Sequence, residues 1–366
     1  MQKNKIDYTI LGIVSSIIIF GLLILASATS VVEKISFFEQ IYLGIIPGVF
    51  LAFVFLKTPL HIIKKVAPFL FLINLALIII ILISGLSYAA GGSTRWLSIG
   101  PLSFQPSEFL KLTFILYIAS WLSSKDFKKD KKRMKNILFP FIVLCIALGL
   151  IFYNQPDLST FLVIISIGII LYFTAGAPFS HIFSTISAGG LIALFFLWRF
   201  PYALNRIVGA MSPEVGLSDV NYQARQSLIT IGSGGLSGVG LGMSEQKFGN
   251  LPEQATDFIF SILAEETGFL GAFLIVLLFL GFLFRAIFLA MKTDDKFSRF
   301  ILIGVGSWIF IQSSVNIGVA VNIFPVTGIP LPFISYGKSH LVAELAAIGL
   351  MLNASQYVKK EKRKTN

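Results

Sequence analysis

Residues 251–271 read "LPEQATDFIFSILAEETGFLG", an apolar run with acids at its mouth and in its middle. Asp257 stands at the edge of the run, Glu253 just ahead of it, and Glu265 and Glu266 about two turns deeper. Ionisable groups inside a membrane span are costly; they face a bundle interior or cavity and find partners there. A helix macrodipole would by itself justify Asp257, because it favours a carboxylate at an N-terminus. It does not account for Glu253, Thr256 and Asp257 arriving together after a polar, Gly-rich stretch. Glu265 and Glu266 need partners, for which Lys111 and Arg225 are the candidates.

The rest of the chain shares this apolar character. Its 366 residues are 55% hydrophobic and 13% charged, with a mean hydropathy of +0.84, whereas soluble domains carry roughly 25% charged residues. Apolar runs near the length needed to cross a bilayer recur throughout. They predict helices at about 8–29, 41–56, 67–88, 106–122, 137–153, 160–175, 181–199, 258–284, 299–322 and 339–357. The expected fold is an all-α polytopic membrane protein of ten transmembrane helices, forming one membrane domain over 1–366. The first run has no convincing small-residue cleavage site and reads as a retained span.

Ten spans place both termini on one side. With the termini cytoplasmic, the inward segments hold 21 of the 29 Lys and Arg, the asymmetry that orients membrane proteins. "KDFKKDKKRMK" (125–135) and the basic tail over 358–366 are then topogenic and lie against anionic lipid, so the net charge of +11 calls for no nucleic acid. The single cysteine, Cys145, excludes an intramolecular disulfide and a Cys-rich metal site.

This orientation leaves 89–107, 153–159, 200–257 and 323–338 facing outward, the third being the large extracytoplasmic loop between helices seven and eight. In "GGSTRWLSIGPLSFQPSEFLKL" (91–112), Pro106 suits a first helical turn. Glu108 and Lys111 then share a helix face and can pair. Arg95 is either an interfacial anchor or a bidentate phosphate ligand. In "NQPDLST" (154–160), Asp157 can cap the following helix. The Gly-rich "IGSGGLSGVGLG" (231–242) lacks the phosphate-loop pattern; its glycines suit close packing of loop backbone. In "FPVTGIPLPFISYGKSHLVAELAAIG" (324–349), an irregular Pro/Gly segment precedes a helix on which His340 and Glu344 are four apart and expected to pair. No His/Cys/Asp cluster has metal-ligand spacing.

Four strings, "FQPSEFLKL", "NQPDLST", "YQARQSLITIGSGGLSGVGLGMSEQKFGNLPEQATDFIFSILAEETGFLG" and "TGIPLPFISYG", resemble the SEDS family (shape, elongation, division and sporulation), in that family's order and over nearly the whole chain. The wording of "GPLSFQPSEF" and "MSEQKFGNLPE" is closer to the division and sporulation members than to the elongation member. The resemblance implies a ten-helix bundle with a large outer loop. It also implies polymerisation of lipid II into glycan strands, and a class B penicillin-binding protein, among other division proteins, as partner. It maps the essential acid onto Asp257 and further substrate-binding positions onto Arg95, Glu108, Lys111 and Asp157, with Glu253 alongside. The family's Tyr-Gly-Gly-(Ser/Thr)-Ser becomes Tyr336-Gly337-Lys338-Ser339-His340 here. Lys338, Ser339 and His340 thus join the candidates, and Lys338 or His340 is expected to pair with Glu344.

Transfer of a sugar from a pyrophosphate to a hydroxyl requires a base at the acceptor and positive charge at the leaving group. Asp257 suits the first role. Arg95, Lys111 or a divalent cation such as Mg or Mn suits the second. A lipid II flippase would need a polar path through both leaflets, and the ionisable residues lie mostly in the outer half. A catalytically silent scaffold is the third reading.

Overall fold

The computed structural model describes residues 6–30, 36–84, 87–90, 93–99, 102–124, 133–155, 157–199 and 219–358. The basic stretch 125–132, loop residues 200–218 and the tail 359–366 lie outside the described residues, as does the Arg95 side chain.

The expected helices are present, several extended by a turn or more, but the one expected over 67–88 runs from Leu60 to Ser84, and Ser87 and Tyr88 lie on a strand. They are α1 (Tyr8–Thr29), α2 (Phe37–Lys57), α3 (Leu60–Ser84), α4 (Pro106–Ser123), α5 (Arg133–Asn154), α6 (Leu158–Thr174), α7 (Phe179–Arg199), α9 (Ile259–Met291), α10 (Lys296–Ala320) and α11 (Lys338–Ser355). One more, α8 (Asp219–Ser233), lies in the long segment between α7 and α9. By length and composition five are able to cross a membrane: α1, α2, α3 over Leu60–Leu82, α9 and α10. Ile19, Phe50, Phe69, Leu194 and Phe273 are exposed large side chains on these and neighbouring helices, a surface that water would penalise and acyl chains would not.

The all-α expectation needs one correction. Residues 87–104 carry a three-stranded antiparallel sheet, β1 (Ser87–Ala90), β2 (Ser93–Ile99) and β3 (Leu102–Phe104). Tyr88 lies opposite Trp96, and Leu97 opposite Phe104. The segment is too short and interrupted to register as a period.

At the centre stands α11, with Ser339–Ser355 buried throughout. It needs no long apolar run because protein, not lipid, surrounds it. Helix α2 lies against it along Gly44, Gly48 and Ala52, four residues apart. A side chain on Gly48 would strike Leu345, and one on Gly349 would strike the Ala52 backbone. Small residues at this spacing let membrane helices approach closely. Asn353 donates to the carbonyls of Phe55 (2.7 Å) and Thr58 (2.6 Å) at the end of α2, where carbonyls lack helical partners.

Helix α9 is broken at Gly268, whose φ is 67°. The Gly-rich loop after α8 fills the break. Val239 N–H donates to Glu265 O (3.0 Å) and Gly240 N–H to Glu266 O (3.1 Å), while Phe269 N–H donates to Gly235 O (2.9 Å) and Leu270 N–H to Leu236 O (3.2 Å). The interrupted ladder is thereby completed from outside, which irregular backbone at membrane depth requires. A Cβ on Gly234 would collide with Ala264 O, and one on Gly238 with Glu266 O. The glycines therefore serve close packing, as the sequence led us to expect.

Gly238→Ala is expected to lower the melting temperature of the purified protein markedly, because its φ of +81° and the facing backbone both oppose a side chain. Gly232→Ala, with nothing within 4 Å, should be neutral or stabilising by up to about 1 kcal/mol. Thermal unfolding of the two variants in detergent checks the contrast.

Candidate functional site

Asp257 sits in the turn immediately before α9, partly exposed. It is one residue ahead of Phe258, which occupies the cap position without a side-chain hydrogen bond. The turn is closed by Thr256 N–H and Phe258 N–H, both donating to Glu253 O at 3.1 and 3.2 Å. Glu253 itself is exposed, holds a φ of 52°, and accepts a hydrogen bond from Thr256 Oγ1 (2.7 Å). A left-handed non-glycine residue costs of order 1 kcal/mol and persists where surroundings impose it.

Those surroundings come from α10 and the segment after it, 321–337. Asn316 donates to both Asp257 O (2.8 Å) and Ile329 O (2.9 Å). Ser335 donates to Thr256 O (2.6 Å), and Tyr336 N–H to Ala255 O (2.8 Å). Gly328, φ 74°, passes near the Asp257 carboxylate, at a point where a Cβ would stand 3.8 Å from Oδ2. The acid is thus pinned through its backbone, and the residue as a whole is partly exposed.

Beneath it lies a chain of buried polar side chains. Lys111 pairs with Glu108 at 2.6 Å, as their spacing on α4 implied, and donates to Gln312 Oε1 (2.8 Å). Trp308 Nε1–H donates to the same oxygen (2.8 Å), and Lys111 lies over the Trp308 ring at 5.3 Å. Gln312 Nε2 donates to Pro330 O and to Glu344 Oε1, both at 3.1 Å. Glu344 accepts from Phe333 N–H (2.8 Å), which stands at a φ of 64°, and lies 3.3 Å from His340 Nδ1. His340 is therefore the residue paired with Glu344. Helical spacing points to this pair, and Lys338, the alternative, goes elsewhere.

Lys338 pairs instead with Glu39 of α2 (2.6 Å), which also accepts from the Tyr336 hydroxyl (3.1 Å). Burial and the neighbouring Glu39 charge push the Tyr336 phenol well above its ordinary pKa, so it remains a donor. Gln40, at the start of a π-helical turn over Gln40–Ile45, donates to Ser335 O (3.2 Å) and accepts from Gly337 N–H (3.0 Å). Ser339 Oγ accepts from Gln105 N–H (3.1 Å), tying α11 to the entry of α4. Buried Ser107 Oγ, Thr327 Oγ1 and His340 Nε2 have no hydrogen-bond partner among the described residues.

One expectation is corrected. Lys111 and Arg225 do not serve Glu265 and Glu266. Glu266 is bound by Ser27 and stands 3.8 Å from Lys247 Nζ; Glu265 is bound by Ser244 and by Ser233 (3.3 Å). Lys247 also donates to Ser27 Oγ (3.0 Å) and Gly242 O (2.6 Å). These acids anchor the Gly-rich loop. Asp157 is the cap of α6, accepting from Thr160 N–H (3.1 Å) and Thr160 Oγ1 (2.9 Å). Arg95 falls on β2.

Sequence reasoning missed Gln312, Asn316, Thr327, Glu39 and Gln40. The available signal was the pair of amides Gln312 and Asn316, four apart and so on one face of an otherwise apolar helix. Among the described residues no group of three or more His, Cys, Asp or Glu side chains could hold a metal ion.

Residues 6–360 match the family model FtsW/RodA/SpoVE, described as a cell cycle protein. The chain belongs to this family. It is 36% identical to stage V sporulation protein E of Bacillus subtilis, over 97% of this chain and 98% of that one. It is also 36% identical to a probable peptidoglycan glycosyltransferase FtsW of Coxiella burnetii, over 92% of each. Among solved structures it resembles a chain of a peptidoglycan synthase complex that coordinates polymerization and crosslinking, with TM-score 0.80 and 27% identity over 96% of this chain and 97% of the other. It also resembles the rod shape determining protein RodA of Thermus thermophilus, with TM-score 0.73 and 26% identity over 97% and 98%. The family and the apolar helices together make this a multi-pass membrane protein.

Removing one partner from a buried charged network leaves the other uncompensated, at about 3–5 kcal/mol. Glu344→Ala is expected to destabilise strongly, since Phe333 N–H, Gln312 and His340 all lose an acceptor, whereas exposed Glu253→Ala should change the melting temperature little. For Glu108 and Lys111, the double alanine variant should be more stable than either single one. A thermal double-mutant cycle reads this out.

Proposed function

We propose that this chain is a peptidoglycan glycosyltransferase that polymerises lipid II at the outer face of a bacterial cytoplasmic membrane, in septal wall synthesis during division. The family membership and the glycosyltransferase names of its FtsW relatives support the reaction class. The observation that carries the site is Asp257: a partly exposed acid, its backbone fixed by Asn316, at the mouth of a membrane helix. The ten spans and the cytoplasmic termini are part of the same reading, supported by the Lys/Arg asymmetry.

In this mechanism Asp257 accepts the proton of the acceptor sugar's 4-hydroxyl as that oxygen attacks the donor's anomeric carbon. The bond from that carbon to the pyrophosphate breaks, and the lipid-linked pyrophosphate leaves along the bilayer. A single displacement with one base inverts the anomeric centre. Arg95 is assigned the developing pyrophosphate charge by its residue type and the family resemblance. Lys111, 2% exposed and held by Glu108 and Gln312, is assigned a positioning role, maintaining the floor on which residues 329–333 and Asp257 rest. Ser107, Thr327 and His340, with buried polar atoms free of described partners, are assigned to the sugar and phosphate groups. Glu253, Asp157, Lys338 and Ser339 line the approach in this reading. A class B penicillin-binding protein that crosslinks the new strand is the expected partner, consistent with a structural neighbour drawn from a polymerising and crosslinking complex. No step runs through a metal ion.

The test is polymerisation of purified lipid II by the nanodisc-embedded protein with its transpeptidase partner. Asp257→Asn should reduce polymer by at least about a hundredfold while leaving the melting temperature unchanged. Polymer from both proteins would remove Asp257 from the mechanism. Polymer from neither, with partner present, would favour the scaffold or the flippase.

A further inference from the structure

The opposite end of the bundle holds an unassigned site. At the start of α3, His61, Lys64 and Lys65 line an open pocket of about 490 Å³ together with Tyr117, Ser120 and Trp121 of α4. Three potentially cationic groups thus occupy the first turns of a helix, where the macrodipole opposes positive charge. None is offset by a carboxylate: among the described residues no Asp or Glu pairs with His61, Lys64 or Lys65. Lys64 lies over the Phe297 ring at 5.9 Å, and its backbone oxygen accepts from Ser120 Oγ (3.0 Å), which fixes α3 against α4 at this point. The cluster carries positive charge, a formed concavity, and hydroxyl and indole donors, with no compensating carboxylate among the described residues.

The surroundings identify the anion. Ile62, Val66, Phe69 and Ile73 are exposed along one face of α3 beside the pocket, 43%, 37%, 64% and 58% accessible. Tyr and Trp mark the level at which lipid headgroups meet a bilayer. A phosphate seated between Lys64 and Lys65 would place attached acyl chains along that apolar face. We propose that this pocket binds the phosphodiester headgroup of an anionic phospholipid, of the phosphatidylglycerol class, as a specific bound lipid rather than as bulk solvent. The site lies at the end of the bundle away from Asp257 and is independent of the glycosyltransfer reading. Its role in the fold is to neutralise the start of α3 and to brace α3 on α4, which carries Glu108 and Lys111 at its other end.

The experiment is native mass spectrometry of the full chain released from nanodiscs containing equal phosphatidylglycerol and phosphatidylcholine of matched acyl chains. Wild type is expected to retain one phosphatidylglycerol preferentially. Lys64→Gln combined with Lys65→Gln, a change to a good helix former, should lower that retention about tenfold or more, taking one lysine as worth roughly 1 kcal/mol near an anionic surface. Lys292→Gln, a cation outside the pocket, should leave it unchanged. If the double variant does not fold, Lys65→Gln alone, on an exposed side chain, should still lower retention several-fold. Equal retention of the two lipids, or unchanged retention in the lysine variants, would overturn the proposal. Displacement of the lipid by millimolar inorganic phosphate would assign the pocket to free phosphate and also overturn it.

Discussion

Glu344, on the innermost helix and fully enclosed, holds together the part of the molecule that matters for chemistry. One of its oxygens takes the Phe333 N–H and the other meets Gln312 and His340. Gln312 in turn binds Pro330 and Lys111, and Asn316, one turn along, binds Ile329 and Asp257. A Pro- and Gly-rich segment cannot satisfy its own backbone, and in an apolar interior each unmet group costs several kcal/mol. The side chains of α10 and α11 supply the missing partners. The geometry around Asp257 is therefore a consequence of how an irregular segment is made tolerable inside a membrane bundle.

A second irregularity is handled by different means. The break at Gly268 leaves carbonyls and amides exposed at depth, and the Gly-rich loop supplies backbone rather than side chains to meet them. Backbone-to-backbone packing needs residues without Cβ on both sides, so Gly234, Gly238 and Gly268 are required as a set. Glu265 and Glu266 then hold the loop through Ser233, Ser244, Ser27 and Lys247. The carboxylates inside the apolar run are accounted for without a catalytic role, unlike Asp257 and Glu253 at its mouth, which are partly exposed and exposed.

The departure at 337–340 acquires a physical meaning in the same frame. Lys338 and His340 face different ways: one reaches Glu39 on α2, the other Glu344 on its own helix. Lys338 and Gln40 bind α2 to the segment carrying Ser335 and Tyr336, both of which hold the turn before Asp257. Two departures from the family pattern thus brace the site from either side. Each finds a local carboxylate partner, which burial of polar groups requires.

Much was legible in the chain. Helix positions followed from hydropathy, because the length of an apolar run against bilayer thickness is a local property. The Glu108–Lys111 and His340–Glu344 pairs followed from helical spacing, and the Asp157 cap from its place before α6, for the same reason. What the chain could not reveal was partner choice across long separations. Lys247 and Ser27 lie 220 residues apart and meet at Glu266; Gln312 and Lys111 are separated by 201. Amides such as Gln312 and Asn316 look idle until the segment they support is folded against them. Short strands in 87–104 were hidden because pairing, not period, creates them. Sequence determined which groups enter the membrane; tertiary structure decided which of them meet, because only packing sets distances between helices remote in the chain.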